Sequence, residues 1–127
     1  MSAEQTSRPE RPLVYVAGPI AGDPHGCVKQ AVDAFHVLRP LGCTPFLPQL
    51  GVLQSIVSPH RMDYEDWMAY DFDIIDLAEA LVRLPGHSPG AEREVVRANA
   101  RGIPVFYYDS PSFPGELESW LLRRREG

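Results

Sequence analysis

The sequence predicts an α/β fold: a doubly wound, Rossmann- or flavodoxin-like sheet of four or five parallel strands with helices on both faces. Short apolar runs alternate along the chain with segments of helical periodicity, which is typical of a parallel sheet. The first run, Leu13–Ala17, is apolar throughout, as expected for a strand covered on both faces. A length of 127 residues suits one domain. We expect that domain to span 12–127, behind a disordered tail at 1–11 that is polar and carries Pro9.

The individual elements follow from local patterns. The predicted strands are short apolar runs, each followed by glycine, proline or polar residues: 13–17, 44–47, 80–84 and 103–108. The predicted helices carry apolar residues at helical spacing: 27–38, 62–78, 88–101 and 113–124. The segment 51–60 is predicted to be a loop, long enough to act as a lid or an oligomer contact. Because ligands of parallel sheets bind at the carboxyl ends of the strands, the loops after the first and third strands should share one cleft.

The stretch 84–98 passes from a predicted strand end through a Gly/Pro/Ser loop into a helix. Ser88 is a good N-cap, and Pro89 suits the first helical position because its missing N–H group costs nothing there. The free N–H groups of such a helix start favour a negative group on a ligand. At ~100° per residue, Glu94 lies at the edge of the inward stripe and is aimed toward the loop cleft. The structural alternative is that Glu94 only complements the helix dipole.

A second carboxylate occupies an unexpected position in the helix predicted at 62–78. On a helical wheel at ~100° per residue, Asp71 falls in the middle of the apolar arc. An acid there is unfavourable unless it is paired or faces a cleft, and burial would raise the pKa of its carboxyl toward useful acid chemistry. The structural alternative is an aspartate hydrogen-bonded within the core. Two carboxyl groups converging on one cleft are the arrangement used to cleave glycosidic bonds.

The composition argues against several classes of function. A net charge of −5 argues against a nucleic acid polymer as partner. No apolar run is long enough for a membrane span and no signal peptide is recognised, so we expect a cytoplasmic protein. Cys27 and Cys43 are isolated and are expected to be reduced thiols. The histidines lack ligand spacing, and the loop 18–22 is neither a Walker A motif nor a dinucleotide fingerprint. We therefore expect no metal and no other cofactor.

Three motifs occur in order along the chain. Segment 14–20 reads Val-Tyr-Val-Ala-Gly-Pro-Ile and is similar to a "YxAGP/GSI" strand and loop. Segment 71–82 is similar to "D-x6-A-D-x-V/I-V", with Glu79 in place of the usual aspartate. Segment 88–105 is similar to "S/D-x-G-x3-E-x3-A-x3-G-x-P-V". Together they cover most of 13–106 and resemble the nucleoside 2-deoxyribosyltransferases and the related nucleoside 5′-monophosphate N-glycosidases, in particular a compact phage and bacterial branch of that superfamily.

The resemblance implies an enzyme that cleaves the N-glycosidic bond of a (deoxy)nucleoside or its 5′-monophosphate, either by hydrolysis or by base exchange. It implies that Glu94 is the nucleophile that forms a covalent glycosyl intermediate. It makes Asp71 the acid or base partner and Tyr15 a group that positions the nucleophile. It also implies a small-molecule nucleoside or nucleotide as partner, and a homodimer or higher homo-oligomer.

The predicted substrate contacts come from the loops after the first and third strands: Gly18, Pro19, Ile20, His87, Ser88 and Gly90. The loop after the first strand has Ala21-Gly22-Asp23 where the monophosphate glycosidases usually have an arginine, so recognition of a 5′-phosphate stays open. The base, the sugar and the acceptor also stay open. A non-catalytic nucleotide-binding or signalling module that kept the cleft is the alternative function.

Overall fold

Four short strands pair in parallel into one sheet: β1 (Leu13–Ala17), β2 (Thr44–Phe46), β3 (Ala80–Arg83) and β4 (Val105–Tyr107). The computed structural model describes residues 10–20, 22–58 and 62–127. Within them the strand order is β2-β1-β3-β4. The chain therefore builds outward from β1 in one direction and then reverses, so that β1 and β3 lie side by side at a topological switch point. The predicted parallel sheet is confirmed with four strands among the described residues.

Helices cover both faces of this sheet: α1 (Pro24–Leu41), α2 (Val52–Val57), α3 (Tyr64–Leu77), α4 (Pro89–Ala100) and α5 (Gly115–Glu126). Alternate side chains of β1 point to opposite faces, as the two-residue period of a strand requires. Val14 and Val16 pack in a core with side chains of α1 and α5. Tyr15 and Ala17 pack in a second core with side chains of α3 and α4. The predicted doubly wound architecture is confirmed.

The prediction of a loop at 51–60 is wrong over most of its length. Pro48–Gly51 forms a 3-10 helix, and α2 continues directly from it over Val52–Val57. Pro48 occupies the first position of the 3-10 turn, where its fixed φ angle favours helical backbone. The apolar character of the segment therefore belongs to a short helix, whose Leu53, Ile56 and Val57 side chains are largely exposed. The end of the predicted loop, 59–60, lies outside the described residues.

The predicted tail at 1–11 lies outside the described residues up to position 9. At its end, hydrogen bonds tie the segment to two helices. Arg124 of α5 donates a hydrogen bond to the Glu10 carbonyl at 3.2 Å, and Arg11 donates one to the Arg39 carbonyl of α1 at 3.5 Å. No helix in the described ranges is long and apolar enough for a membrane crossing.

The helix α5 is anchored by a bidentate ion pair to the residue that precedes β3. The Arg124 guanidinium donates to the two Glu79 carboxylate oxygens at 2.7 and 2.8 Å, and its side chain is only 6% exposed. Glu79 precedes β3 directly and is itself 23% exposed. The pair therefore couples the start of a central strand to the last helix.

We expect Arg124→Met to lower the free energy of unfolding by about 2–3 kcal/mol, because it leaves the partly buried Glu79 carboxylate without its bidentate partner. Urea denaturation followed by circular dichroism measures this. Arg123→Met and Arg125→Met on the exposed side of the same helix are the matched controls and should change the value by less than about 0.5 kcal/mol. Equal values for all three variants would contradict the assignment.

Candidate active site

A cavity of about 830 Å³ opens at the carboxyl ends of β1 and β3. The loops after β1, β2 and β3 line it together with the facing sides of α3 and α4: Gly18, Ile20, Gly22, Pro48, Gly51, Val52, Ser55, Tyr64, Trp67, Met68, Asp71, His87, Ser88, Pro89, Gly90, Ala91 and Glu94. The expectation that the loops after the first and third strands share one cleft is confirmed. Its position is the one at which doubly wound sheets bind ligands.

Three buried polar side chains meet at this cavity. Tyr15 is fully buried on β1, and its hydroxyl donates a hydrogen bond of 2.7 Å to Glu94 Oε2. Glu94 on α4 is 5% exposed and Asp71 on α3 is 7% exposed, and both line the cavity. The Asp71 carboxyl lies close enough to interact with both other groups through hydrogen bonds. Two helices and the central strand thus bring together carboxyl groups that the sequence places 23 positions apart.

Burial governs the protonation of this cluster. It raises the pKa of the Glu94 carboxyl to about 8, while the Tyr15 hydrogen bond and the charge of Arg83 act in the opposite direction. Burial also raises the pKa of Asp71. The pKa of the Tyr15 phenol is raised by burial and then by the charge of Glu94, so Tyr15 stays a neutral donor. Because two neighbouring buried carboxylates repel each other, the pair gives up its last proton at a higher pH than an exposed carboxyl group would.

The start of α4 forms part of the cavity wall, and it has the predicted N-cap. The Ser88 side chain accepts a 3.0 Å hydrogen bond from the Ala91 amide, and Pro89 follows at the first helical position. Ser88 and Gly90 both line the cavity, as does His87 just before the cap. A Cβ atom on Gly90 would come within 3.4 Å of the Tyr64 hydroxyl, so the helix start lies close to the first turn of α3.

The loops after β1 and β3 pack closely against each other, and each has a glycine at the contact. A Cβ atom on Gly18 would lie 3.1 Å from Leu84 Cβ, which is tighter than side chains normally pack. Gly86 has φ +118°, and a Cβ there would come within 2.8 Å of Pro19 Cγ. Ile20 lines the cavity, whereas Pro19 is not part of its lining and packs on Gly86 instead. The ring of Pro19 fills the space left by a glycine and joins the two loops, and its contact with a substrate stays a prediction.

Sequence comparison assigns the family. Residues 12–107 match the family described as "Domain of unknown function (DUF4406)". The chain belongs to the DUF4406 family. The matched range contains all four strands and each of Tyr15, Asp71 and Glu94. A search of the curated proteins returned no match to this chain.

Two solved structures have a fold similar to that of this DUF4406 chain. A 2-deoxyribosyltransferase from the psychrotolerant bacterium Bacillus psychrosaccharolyticus is similar with a TM-score of 0.56 and 24% identity, over 75% of this chain and 70% of that one. A 2-deoxyribosyltransferase from Leishmania mexicana is similar with a TM-score of 0.58 and 16% identity, over 76% of this chain and 63% of that one. The expected resemblance to the 2-deoxyribosyltransferases is confirmed at the level of the fold.

Two further residues of this DUF4406 chain shape the site, and sequence analysis missed both. Arg83, only 7% exposed at the end of β3, donates to the carbonyls of Leu84 and Gly86 and to the Glu92 carboxylate at 2.7 Å. Gln49 is fully buried in the 3-10 helix and donates to the Val16 carbonyl at 3.1 Å. A signal for Arg83 was available, since a cation inside an otherwise apolar strand run needs several buried acceptors. Gln49, between Pro48 and Leu50, carried no such signal.

Arg83 is expected to hold the loop that presents His87 and Ser88 to the cavity. Arg83→Met removes a donor from two loop carbonyls and from Glu92, so the loop should open more often to solvent. We expect amide hydrogen exchange in 84–91 to become at least about tenfold faster, which corresponds to about 1.4 kcal/mol of lost local stability. Glu92→Gln keeps a side-chain acceptor for Arg83 and should change the exchange much less. Unchanged exchange in Arg83→Met would refute this role.

Proposed function

We propose that this protein cleaves the N-glycosidic bond of a nucleoside or nucleoside 5′-monophosphate through a covalent glycosyl intermediate on Glu94. The contact of Tyr15, Glu94 and Asp71 at the cavity carries the proposal. It supplies a carboxyl group that Tyr15 aligns for nucleophilic attack and a second carboxyl group whose pKa burial also raises. The likeness of the fold to two 2-deoxyribosyltransferases supports the same class of reaction.

The first step forms one bond and breaks another. In the reactive form, the carboxyl pair shares one proton, which lies on Asp71, and Glu94 is ionised. Glu94 then attacks the anomeric carbon, and the bond from that carbon to the base nitrogen breaks with its electron pair going to the base. Positive charge on the sugar is stabilised by the buried carboxylate because water is largely excluded around it. Asp71, holding the shared proton, transfers it to the departing base.

The second step releases the sugar. Water or a second base attacks the anomeric carbon and displaces Glu94 as a carboxylate, while Asp71 takes up the proton of the attacking group. Water gives a hydrolase and a second base gives a transferase. Throughout, Tyr15 keeps its hydrogen bond to Glu94 Oε2 and so leaves the other carboxylate oxygen available for attack. Tyr15 is fully buried, so we assign it a positioning role without substrate contact.

Incubation with a panel of nucleosides and their 5′-monophosphates, followed by chromatography for free base, tests the proposal. Adding a second base to the same mixture distinguishes base exchange from hydrolysis. Quenched samples analysed by mass spectrometry should show a sugar adduct on the peptide that contains Glu94. Thermal stabilisation by the panel without any base release would favour the non-catalytic binding module instead.

The rate of base release should depend on pH as a bell-shaped curve, because only the singly protonated carboxyl pair is active. Above about pH 8 the pair loses its last proton, so the acid for the leaving base disappears and the rate falls about tenfold per pH unit. At low pH the second proton neutralises Glu94 and stops the attack. Asp71→Asn should remove the alkaline limb and lower the maximal rate about 10²- to 10⁴-fold.

The matched control for Asp71→Asn is Asp73→Asn, an exposed aspartate two positions along the same helix. Its pH profile should equal that of the unaltered protein. An alkaline limb that persists in Asp71→Asn would assign the shared proton to another group.

A homo-oligomer, as the resemblance implies, belongs to the same proposal. The exposed apolar side chains of α2, which adjoin the cavity wall at Val52 and Ser55, are where we expect a second copy to bind. Leu53, Ile56 and Val57 are 55%, 71% and 80% exposed. Sedimentation equilibrium measures the association directly, and a strictly monomeric protein at high concentration would contradict this part.

A further inference from the structure

The cavity wall has two unlike parts. One part is the β1 loop and the helix start at 87–90, where small residues and polar groups predominate. The other part is formed by α3 and the 3-10 helix and includes Trp67. Asp71 and Glu94 are the charged side chains among the lining residues. A ligand with one planar apolar part and one small hydroxylated part fits this division.

Neighbouring residues hold Trp67 firmly in the part of the wall formed by α3 and the 3-10 helix. A Cβ atom on Gly51 would come within 3.3 Å of Trp67 Cζ3, so the indole edge lies directly on the glycine backbone. Tyr70 packs edge-on against the indole, with ring centroids 6.0 Å apart and an interplanar angle of 87°. Tyr70 lines a second cavity of about 310 Å³ that Trp67 also borders. The indole therefore borders both cavities, and its contacts with Gly51 and Tyr70 hold it in place.

The spacing along α3 relates this indole to the reacting groups. Trp67 and Asp71 are four positions apart and lie on one helix face, with about 5–6 Å between their Cβ atoms. That separation is on the scale of a heterocyclic ring. Since the proposed proton donor must reach the base, the base has to lie on the Asp71 side of the anomeric carbon, against the same helix face.

We infer that Trp67 is the stacking platform for the nucleobase, so that purine bases bind more tightly than pyrimidine bases. This inference rests on the proposed function and names the subsite that its leaving group occupies. Stacking on an indole tolerates different bases because each has a π face, and it strengthens with ring area. The sugar then extends from Glu94 toward the helix start at 87–90.

Fluorescence separates this platform from the other tryptophan of the chain. Trp120 packs on Phe106 on the opposite face of the sheet, with centroids 5.9 Å apart. Trp120→Phe leaves Trp67 as the sole indole, and Trp67→Phe leaves Trp120. Both are titrated with adenine, cytosine and 2′-deoxyadenosine in the Glu94→Gln background, which prevents turnover. We expect saturable quenching in the Trp120→Phe protein, none in the Trp67→Phe protein, and a lower Kd for adenine than for cytosine.

Calorimetry measures the affinity itself. Trp67→Ala should raise the Kd for adenine roughly tenfold to a hundredfold, and Trp67→Phe, which keeps an aromatic face, should change it less than about threefold. Thermal melts of all variants verify that they are folded. Binding that leaves Trp67 emission unchanged, an unaltered Kd in Trp67→Ala, or no binding of any of the three compounds would overturn the inference.

These outcomes are independent of catalysis. Quenching at Trp67 without base release from the unaltered protein would support the platform and refute the proposed reaction. Base release without any effect of Trp67→Ala on the Kd would support the reaction and refute the platform.

Discussion

Replacing Glu94 with glutamine is expected to abolish base release, with a loss of about a thousandfold or more. Glutamine keeps the shape of the side chain and still accepts the Tyr15 hydrogen bond, but its amide oxygen does not displace a base from the sugar. The covalent sugar adduct should disappear from the mass spectrum of the same variant. Chromatographic assay of free base under single-turnover and steady-state conditions measures the loss.

The matched control is Glu118→Gln, which alters an exposed glutamate on α5 far along the chain from the cavity. It should release base at the rate of the unaltered protein. If Glu94→Gln retained more than about a tenth of the activity, Glu94 would not be the nucleophile. Residual activity without an adduct would instead indicate direct attack by water on the sugar.

The same substitution should stabilise the folded protein, and the gain should grow with pH. The pKa of Glu94 is raised by burial from its ordinary 4.5 to about 8. The folded state therefore holds a proton that the unfolded state has lost between these values, so wild-type stability falls as pH rises through that window. Glutamine carries no charge at any pH and avoids the loss. This rise in the pKa sets an upper bound of about 5 kcal/mol on the free energy of unfolding that Glu94→Gln gains above pH 8.

Urea denaturation of both proteins at about pH 4.5 and about pH 9 tests this expectation. The difference in free energy of unfolding should be less than about 0.5 kcal/mol at the lower pH, where Glu94 is protonated in the folded state and half protonated in the unfolded state. It should reach about 2–5 kcal/mol at the higher pH. A difference that does not vary with pH would mean that Glu94 titrates normally. Burial of the Glu94 carboxyl lowers stability but serves the reaction. Its replacement should therefore raise the stability and abolish the activity.

The alternation of strands and helices was predictable because each element carries its own local pattern. The run of apolar residues in β1 and the Ser88-Pro89 start of α4 determine structure through neighbours in the chain, and both were predicted at their observed positions. Asp71 was recognisable because a carboxylate in an apolar arc violates the pattern around it. The ends of the elements differ from the prediction by up to three residues, since capping by Asp23 extends α1 at its start.

Other features depended on packing that no local pattern records. Arg83 and Gln49 each satisfy backbone carbonyls within or beside the β1 and β3 loops, and their partners are set by how strands and loops meet. Pro19 packs against Gly86, because Gly86 leaves room for its ring. The helix α2 was missed because it has no side-chain cap and too few residues to show a period.

The sequence by itself determined the parallel α/β architecture, the helix start at Ser88 and the inward direction of Asp71 and Glu94, because these follow from periodicity and capping among near neighbours. The tertiary structure alone decided that Tyr15 and Glu94, 79 positions apart, share a hydrogen bond, and that burial raises the pKa of the Glu94 carboxyl. Burial and proximity depend on how β1, α3 and α4 pack together, and that packing is a property of the whole chain.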